Sequence, residues 1–341
     1  MDLLGTGLRR FLSRSDMQPF KPRFPWIGGD LQTLRNSFVT SPVALEPDER
    51  ILAPIDVGAI NIAVNHSVNQ AGEAGAVNRA IVLVHGLGGG EDSSYMVSAA
   101  HEFLSYGYSV YRMSYRGVGP SAETSEGPYS AGLTSDLRAV LRRVGKHAPQ
   151  SVLYLMGFSL GGQLSLRMLG EGDVPENAAG TLAACVTVSA PLDLATSQRK
   201  LERGRNHFYS RYVVNNMKND LAGLSHVKVK VDPEEMTSVW DFDQHIIAPV
   251  FGFKDAADYY ARASCFPLLS RIEIPTLAMH AADDPWIPVE DYRRAIWPEN
   301  APAGAVITSS GGHVGFHVSG SKKPWHEQTA VQFFSRCKDI N

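Results

Sequence analysis

An α/β fold, a largely parallel sheet with helices on both faces, is what this sequence predicts. Three observations carry the prediction. Apolar runs of strand length recur along the chain, segments with helical apolar spacing alternate with them, and several of the runs end in turns rich in glycine, serine or proline. In order, Ile51 to Asn65 reads as antiparallel strand, Ala80–Val84 as a buried strand, Tyr95–Tyr106 as a helix and Ser109–Met113 as a strand. Leu133, Leu137, Val140, Leu141 and Val144 mark one helical face. Ser151–Met156 is the next strand, Gln163–Leu169 a helix, and Leu182–Ser189, Ile274–Met279 and Ala305–Thr308 are further strands.

The alternation stops at Pro191. Residues 193–264 are polar and rich in aromatics, among them Tyr209, Tyr212, Trp240, Phe242, Tyr259 and Tyr260. A stretch that long between two core strands is too long for an ordinary connection. It is expected to be a helical cap inserted into a core formed by residues 51–192 and 265–341, with residues 1–50 an N-terminal segment packing on the body or cap. Within that segment Leu4, Leu8, Phe11 and Leu12 fall at helical spacing beside Arg9, Arg10 and Arg14. A helix packed on the enzyme body is the expectation, and an interfacial helix giving weak peripheral membrane contact is the alternative.

Composition sets outer bounds. With 341 residues, 44% of them hydrophobic and 20% charged, the chain can bury a large core. A net charge of −3 provides no electrostatic footprint for nucleic acid or an anionic membrane. Three widely spaced cysteines, Cys185, Cys265 and Cys337, argue against a disulfide framework and supply no CxxC metal or redox pair. No apolar stretch approaches the roughly 18 residues of a membrane span, and Met1–Met17 lacks a signal core and cleavage site. The expected compartment is cytoplasmic. There is no dinucleotide fingerprint or phosphate loop, and no cofactor is expected.

Chemistry concentrates in four turns. Gly157-Phe158-Ser159-Leu160-Gly161 sits between a strand and a helix, which places a serine at the apex of a tight turn. A serine hydroxyl is a poor nucleophile unless it is exposed, held near a base and set beside backbone N–H donors. His85-Gly86-Leu87-Gly88-Gly89-Gly90 follows the Ala80–Val84 strand and can aim N–H groups at a developing oxyanion; Leu87 and Leu160 are the candidate donors. His85 itself reads as a residue that fixes the loop. Downstream, Asp283 and Asp284 follow a strand, and Asp284 is preferred as the acid because Pro285 and Ile287 shape the turn after it. Ser309 to Phe316 then presents His313 as the base. His313 and His317 have the spacing of a helical metal pair, but glycines flank the segment and no Glu or Cys partner is near, so no metal is expected.

Together these turns give the chain order Ser, Asp, His. The sequence resembles the α/β-hydrolase superfamily and, within it, the YheT-like (EMB8/ABHD1–3-like) esterase group. The narrower resemblance rests on Phe20-Lys-Pro with Asp30-Leu-Gln-Thr33, Leu83-Val-His-Gly-Leu-Gly88, Tyr111-Arg-Met-Ser-Tyr-Arg-Gly117 and Gly157-Phe-Ser-Leu-Gly-Gly162. It also rests on Ala248-Pro-Val-Phe-Gly-Phe253, Asp258-Tyr-Tyr260 and Ala281-Ala-Asp-Asp-Pro285. One departure is visible: the group commonly carries Asn-x-His before the Gln-Thr pair, where this chain has Gly28-Gly29-Asp30-Leu31.

The resemblance implies an α/β-hydrolase fold and a serine carboxylesterase acting on a small-molecule ester of short to medium acyl chain, with Ser159, His313 and Asp284 as its triad. Phe158, Tyr259, Tyr260 and Trp286 are the candidate substrate-pocket residues, the tyrosines as hydrogen-bonding partners of a substrate oxygen. The charge run Arg199 to Arg205 reads as a solvated helix face, and Arg116 as an anchor for its loop. Two alternatives remain at this stage: an acyltransferase or thioesterase using the same triad, and a protein of this fold that binds a small ligand without turnover.

Overall fold

The structure, a computed structural model, describes residues 1–12, 17–39, 44–67, 78–177, 180–224 and 231–337. The chain opens with β1 (Asp2–Leu4), α1 (Thr6–Phe11) and α2 (Gly29–Phe38), followed by β2 (Glu49–Ile55), β3 (Gly58–Asn65) and β4 (Arg79–Val84). Then come α3 (Ser94–Ser105), β5 (Tyr108–Met113), α4 (Thr134–His147), β6 (Val152–Phe158) and α5 (Leu160–Glu171). A two-residue hairpin, β7 (Glu176–Asn177) and β8 (Gly180–Thr181), precedes β9 (Ala184–Val188). Helices α6 (Leu194–Leu201), α7 (His207–Ala222), α8 (Val239–Phe242), α9 (Ala248–Val250) and α10 (Ala256–Ala263) follow with no strand among the described residues between them. The chain returns to the sheet through β10 (Thr276–Ala281), α11 (Val289–Arg294), β11 (Ala303–Thr308) and α12 (Trp325–Cys337).

Nine strands form one sheet in the order β1-β11-β10-β9-β6-β4-β5-β3-β2. The six from β11 to β5 are mutually parallel, while β1 at one end and β3 and β2 at the other run antiparallel to their neighbours. Strand β4 lies between β5 and β6, so successive connections leave it in opposite directions. This is the switch point at whose carboxyl end open α/β sheets form their crevice.

The continuous apolar runs of the central strands are explained by burial on both faces. In β4, Ala80, Val82 and Val84 point into one core with Leu137, Val140 and Val144 of α4 and Leu164 of α5. Ile81 and Leu83 point into the other, with Phe103 of α3 and Phe333 and Phe334 of α12. Strand periodicity thus sorts side chains between two cores, and α4 displays the face that its leucine and valine spacing predicts.

The opening residues pack against the body of the protein. β1 pairs with β11 in the main sheet, and Leu8 and Leu12 are buried in the same core as Phe333. Leu8 and Leu12 of the apolar stripe thus face the interior, and Leu4 and Phe11 are partly buried against it. Arg14 lies outside the described residues. Among those residues, no helix is long and apolar enough to cross a membrane.

Candidate active site

The turn after β6 forces backbones together. Ser159 adopts φ 50° and ψ −118°, a conformation costly for a side-chain-bearing residue and sustained only where surroundings dictate it. A Cβ on Gly161 would lie 2.4 Å from the Val84 carbonyl oxygen and 2.6 Å from that of His85, and one on Gly157 would lie 2.4 Å from the Gly161 carbonyl oxygen. Glycine at both positions is therefore a packing requirement. The Ser159 N–H donates to the Val188 carbonyl at 2.8 Å, which fixes the turn to β9.

The serine hydroxyl meets a histidine from a distant loop. Ser159 Oγ and His313 Nε2 are 2.9 Å apart, and His313 Nδ1 stands 2.9 Å from Asp284 Oδ2. The other oxygen of Asp284 accepts the backbone N–H groups of Trp286 at 2.8 Å and Ile287 at 3.0 Å. Burial opposes ionisation of this carboxyl, but His313 and the Ile287 N–H outweigh it and hold the group below the ordinary aspartate range. Asp283 turns elsewhere and accepts the Gly312 N–H at 2.9 Å. Neighbouring His280 is fully buried and stacked on Tyr292, with ring centroids 4.1 Å apart; burial pushes it down to about 4, so it is neutral.

The histidine loop does not support itself. Val314 and Phe316 both adopt positive φ, 56° and 49°, and helix α2 clamps them. The Thr33 hydroxyl accepts the His313 N–H at 2.8 Å, the Gln32 side chain accepts the His317 N–H at 2.7 Å and donates to the His317 carbonyl at 3.1 Å, and Asn36 donates to the Val314 carbonyl at 3.2 Å. Contact is so close that a Cβ on Gly312 would sit 2.4 Å from the Gly29 carbonyl oxygen. These α2 side chains had no role assigned from sequence; the Gln-Thr pair was visible as a motif, but only the fold brings residue 33 to residue 313. His317 points away from the serine and meets Arg35, whose Nη1 lies 3.3 Å from its Nδ1.

On the other side of Ser159 runs the loop after β4. Its N–H groups are largely occupied: Gly86 donates to the Tyr95 hydroxyl at 2.9 Å, Gly88 to the Tyr129 hydroxyl at 3.0 Å and Gly90 to the Ser93 hydroxyl at 2.9 Å. The Leu87 N–H has no acceptor among the described residues, and Leu160 opens α5, where N–H groups lack intrahelical partners. His85 Nε2 accepts the Tyr115 N–H at 3.2 Å, which leaves Nδ1 to donate to the Gly86 carbonyl at 2.9 Å. Burial pushes His85 down to about 4; it braces the loop and does not reach the serine. Arg116 similarly anchors its turn, with a two-pronged bond to Asp136 at 2.7 and 2.5 Å.

A cavity opens over Ser159, lined by Leu87 and Leu160 from below and by residues of α6, α7, α8 and α10 from the 193–264 segment. Trp286, Tyr259 and Tyr260 line it as well, and Trp286 stacks on the His313 ring at 4.2 Å. Phe158 does not. Its side chain falls on the opposite face of β6, in the core with Tyr154 and Met156, because strand residues alternate and Phe158 shares their parity. The two tyrosines are also committed to protein partners: the Tyr259 hydroxyl accepts the Ala131 N–H at 2.9 Å and Tyr260 donates to Asp243 at 2.6 Å. Lys200 departs from the solvated face expected of it, since its ammonium donates to the carbonyls of Asp284 at 2.7 Å and Ile287 at 3.0 Å and so ties α6 to the acid loop. Among the described residues, no group of three or more His, Cys, Asp or Glu side chains is arranged to hold a metal.

The chain belongs to the α/β-hydrolase fold family, whose profile matches residues 79–319. Within the family it groups with the YheT and ABHD proteins. It is 32% identical over 250 residues to the putative esterase YheT of Escherichia coli, covering 69% of this chain and 70% of that protein. It is 28% identical over 291 residues to phospholipase ABHD3 of Mus musculus, covering 84% and 70% respectively. Identity to the monoacylglycerol lipase of Saccharomyces cerevisiae is 29% over 275 residues, 76% of this chain, which spans 59% of the lipase. Among solved structures, the Pyrococcus furiosus esterase Pf2001 matches with a TM-score of 0.55 at 16% identity, over 87% of this chain and 97% of that one. At that identity the likeness concerns the fold.

Asp243, buried against the cavity, generates a prediction. Burial pushes its carboxyl up to about 7, with the Tyr260 hydrogen bond opposing and Glu202 adding to the effect. The folded state therefore keeps a proton that the unfolded chain gives up near pH 4, so this group makes stability fall as pH rises from about 4 to about 7 and adds no slope above. Urea midpoints measured at about pH 5 and pH 8 should differ less in Asp243→Asn than in the wild type. Equal differences in the two proteins would exclude Asp243 as the source of that slope.

Proposed function

We propose that this protein is a serine carboxylesterase that cleaves small-molecule esters through an acyl-enzyme. The observation that carries the reading is the continuous hydrogen-bonded row from Ser159 Oγ to His313 Nε2 and from His313 Nδ1 to Asp284, 2.9 Å at each step. His313 takes the Ser159 proton as the oxygen attacks the ester carbonyl, and Asp284 orients the ring and stabilises the imidazolium. The N–H groups of Leu87 and Leu160 receive the developing oxyanion, which is where such donors contribute most. The alcohol leaves with the proton from His313, and water activated by the same ring releases the acid.

Names borne by relatives, a putative esterase, a phospholipase and a monoacylglycerol lipase, support ester bonds as the target class. The 193–264 segment acts as a cap: its Leu194, Val213, Met217 and Phe242 line the cavity and suit an apolar acyl chain of short to medium length. The reaction needs no metal or organic cofactor.

Hydrolysis of a p-nitrophenyl ester series from acetyl to palmitoyl tests the reading. Wild type should turn over the shorter members, and Ser159→Ala should lose about three or more orders of magnitude. Equal rates in both proteins, or none in a folded wild type, would remove Ser159 from that role. Thr33→Val, which deletes the acceptor for the His313 N–H, should lower kcat by about ten- to a hundredfold with little change in KM, since Thr33 touches the histidine backbone and not the cavity. A change in KM alone would show that α2 shapes binding instead.

A further inference from the structure

The loop after β4 is braced by residues that take no part in the Ser159, His313 and Asp284 row. Leu87 stands between two N–H groups that are each held by a tyrosine hydroxyl, Gly86 by Tyr95 at 2.9 Å and Gly88 by Tyr129 at 3.0 Å. Peptide units are planar, so fixing the planes before and after the Leu87 N–H sets the direction in which that group points. Tyr129 comes from the loop between β5 and α4. Its buried ring lies flat on that of Tyr115, with centroids 4.9 Å apart, and Tyr115 donates in turn to the His85 carbonyl at 3.0 Å.

A second grip on the same loop comes from α7. Asn216 Nδ2 donates to the Gly88 carbonyl at 3.2 Å, and helix and loop approach so closely that a Cβ on Gly88 would lie 2.8 Å from the Asn216 Cβ. Gly88 also has φ 64°, so both space and backbone conformation call for glycine there. One turn further along the same face of α7, Asp220 Oδ2 accepts the Tyr129 hydroxyl at 3.3 Å. The phenol has a single proton, and giving it to Asp220 leaves the oxygen lone pairs to receive the Gly88 N–H. Burial pushes the Asp220 carboxyl up to about 6 against the pull of the Tyr129 hydrogen bond, so at neutral pH it is mainly ionised and acts as the acceptor of the pair.

We propose, resting on the esterase reading, that α7 sets the oxyanion hole: Asn216 directly, and Asp220 through the Tyr129 hydroxyl, are positioning residues that hold Gly88 and so aim the Leu87 N–H at the developing oxyanion. One residue is held by its N–H from one side and by its carbonyl from the other. Such a brace suits a donor that must already point correctly when charge develops. Asn216 lies outside the lining of the cavity over Ser159, whereas Tyr129 and Asp220 are part of it. Helix α7 therefore contributes to turnover as well as forming a wall of that cavity.

Three compounds of one acyl length test the proposal on the full chain: the p-nitrophenyl ester that the wild type cleaves best, the corresponding trifluoromethyl ketone and the corresponding ether. Ser159 adds reversibly to the ketone carbonyl as its proton passes to His313, and the hemiketal oxyanion then occupies the hole. The ether has no carbonyl and reports binding in the cavity alone. Tyr129→Phe and Asn216→Leu should each lower kcat/KM about ten- to a hundredfold, weaken the ketone by the same factor and leave the ether unaffected. Asp220→Asn should lower kcat/KM in the wild type and have no further effect in Tyr129→Phe, because its influence passes through that hydroxyl. Asn216→Leu, at a half-buried position, keeps the measurement decisive if Tyr129→Phe fails to fold. Unchanged kcat/KM and ketone affinity in both variants, equal weakening of ketone and ether, or an undiminished Asp220→Asn loss in Tyr129→Phe would overturn the proposal, and turnover that still depends on Ser159 would leave the esterase reading standing. Absence of Ser159-dependent turnover in the wild type would overturn both.

Discussion

Two backbones approach each other at the carboxyl ends of β4 and β6 with no space for a side-chain carbon between them, and the rest of the site depends on that contact. Gly161 lies against the carbonyls of Val84 and His85, and this closeness holds Ser159 in its unfavourable conformation with the hydroxyl projecting above the sheet. The same closeness brings the Gly86–Leu87 turn beside the serine, as a Cβ on Gly86 would stand 3.0 Å from the Ser159 Cβ. The Ser159 hydroxyl and the neighbouring backbone N–H groups are thus set by one packing arrangement. The cost of the strained turn is met by burial of the flanking strands on both faces of the sheet.

The histidine and the aspartate are held by elements from far along the chain. Helix α2 grips the histidine loop at four backbone groups through Gln32, Thr33 and Asn36. Lys200 at the end of α6 and Asn206 just before α7 grip the carbonyls of the acid loop, the Asn206 amide reaching Pro285 at 2.7 Å. The N-terminal segment and the inserted helices therefore do mechanical work at the site. They fix the loops whose own dihedral angles, at Val314 and Phe316, are unfavourable. Tyr209 joins the two supports, its hydroxyl donating to Asp30 at 3.0 Å while its ring packs on Trp286.

What could be read from residue order was whatever repeats locally. The apolar runs located the central strands to within two or three residues, and helical spacing marked α3 and α4. The Gly-x-Ser-x-Gly turn and the two loops after late strands picked out Ser159, Asp284 and His313 because each follows a strand and faces the same end of the sheet. Phe158 was misplaced although the information was present, since counting parity from Tyr154 puts it on the far face. Other features depend on contacts between residues 17 to 280 positions apart. Nothing local tells that Thr33 will meet His313, that Lys200 will bind the carbonyl of Asp284, or that Tyr259 and Tyr260 will spend their hydroxyls on Ala131 and Asp243. Likewise Leu4, the first of the helically spaced apolar residues, lies in an edge strand and the helix begins only at Thr6, because β11 offers an unpaired edge that Asp2–Leu4 completes.

The central claim is that Ser159 is an activated nucleophile, and a mechanism-based probe tests it most directly. The protein would be treated with a fluorophosphonate and the adduct mapped by mass spectrometry of its peptides. One equivalent on Ser159, formed much more slowly after His313→Ala although the fold is intact, is the predicted result. Modification at another residue, or labelling of Ser159 at the same rate without His313, would contradict the account.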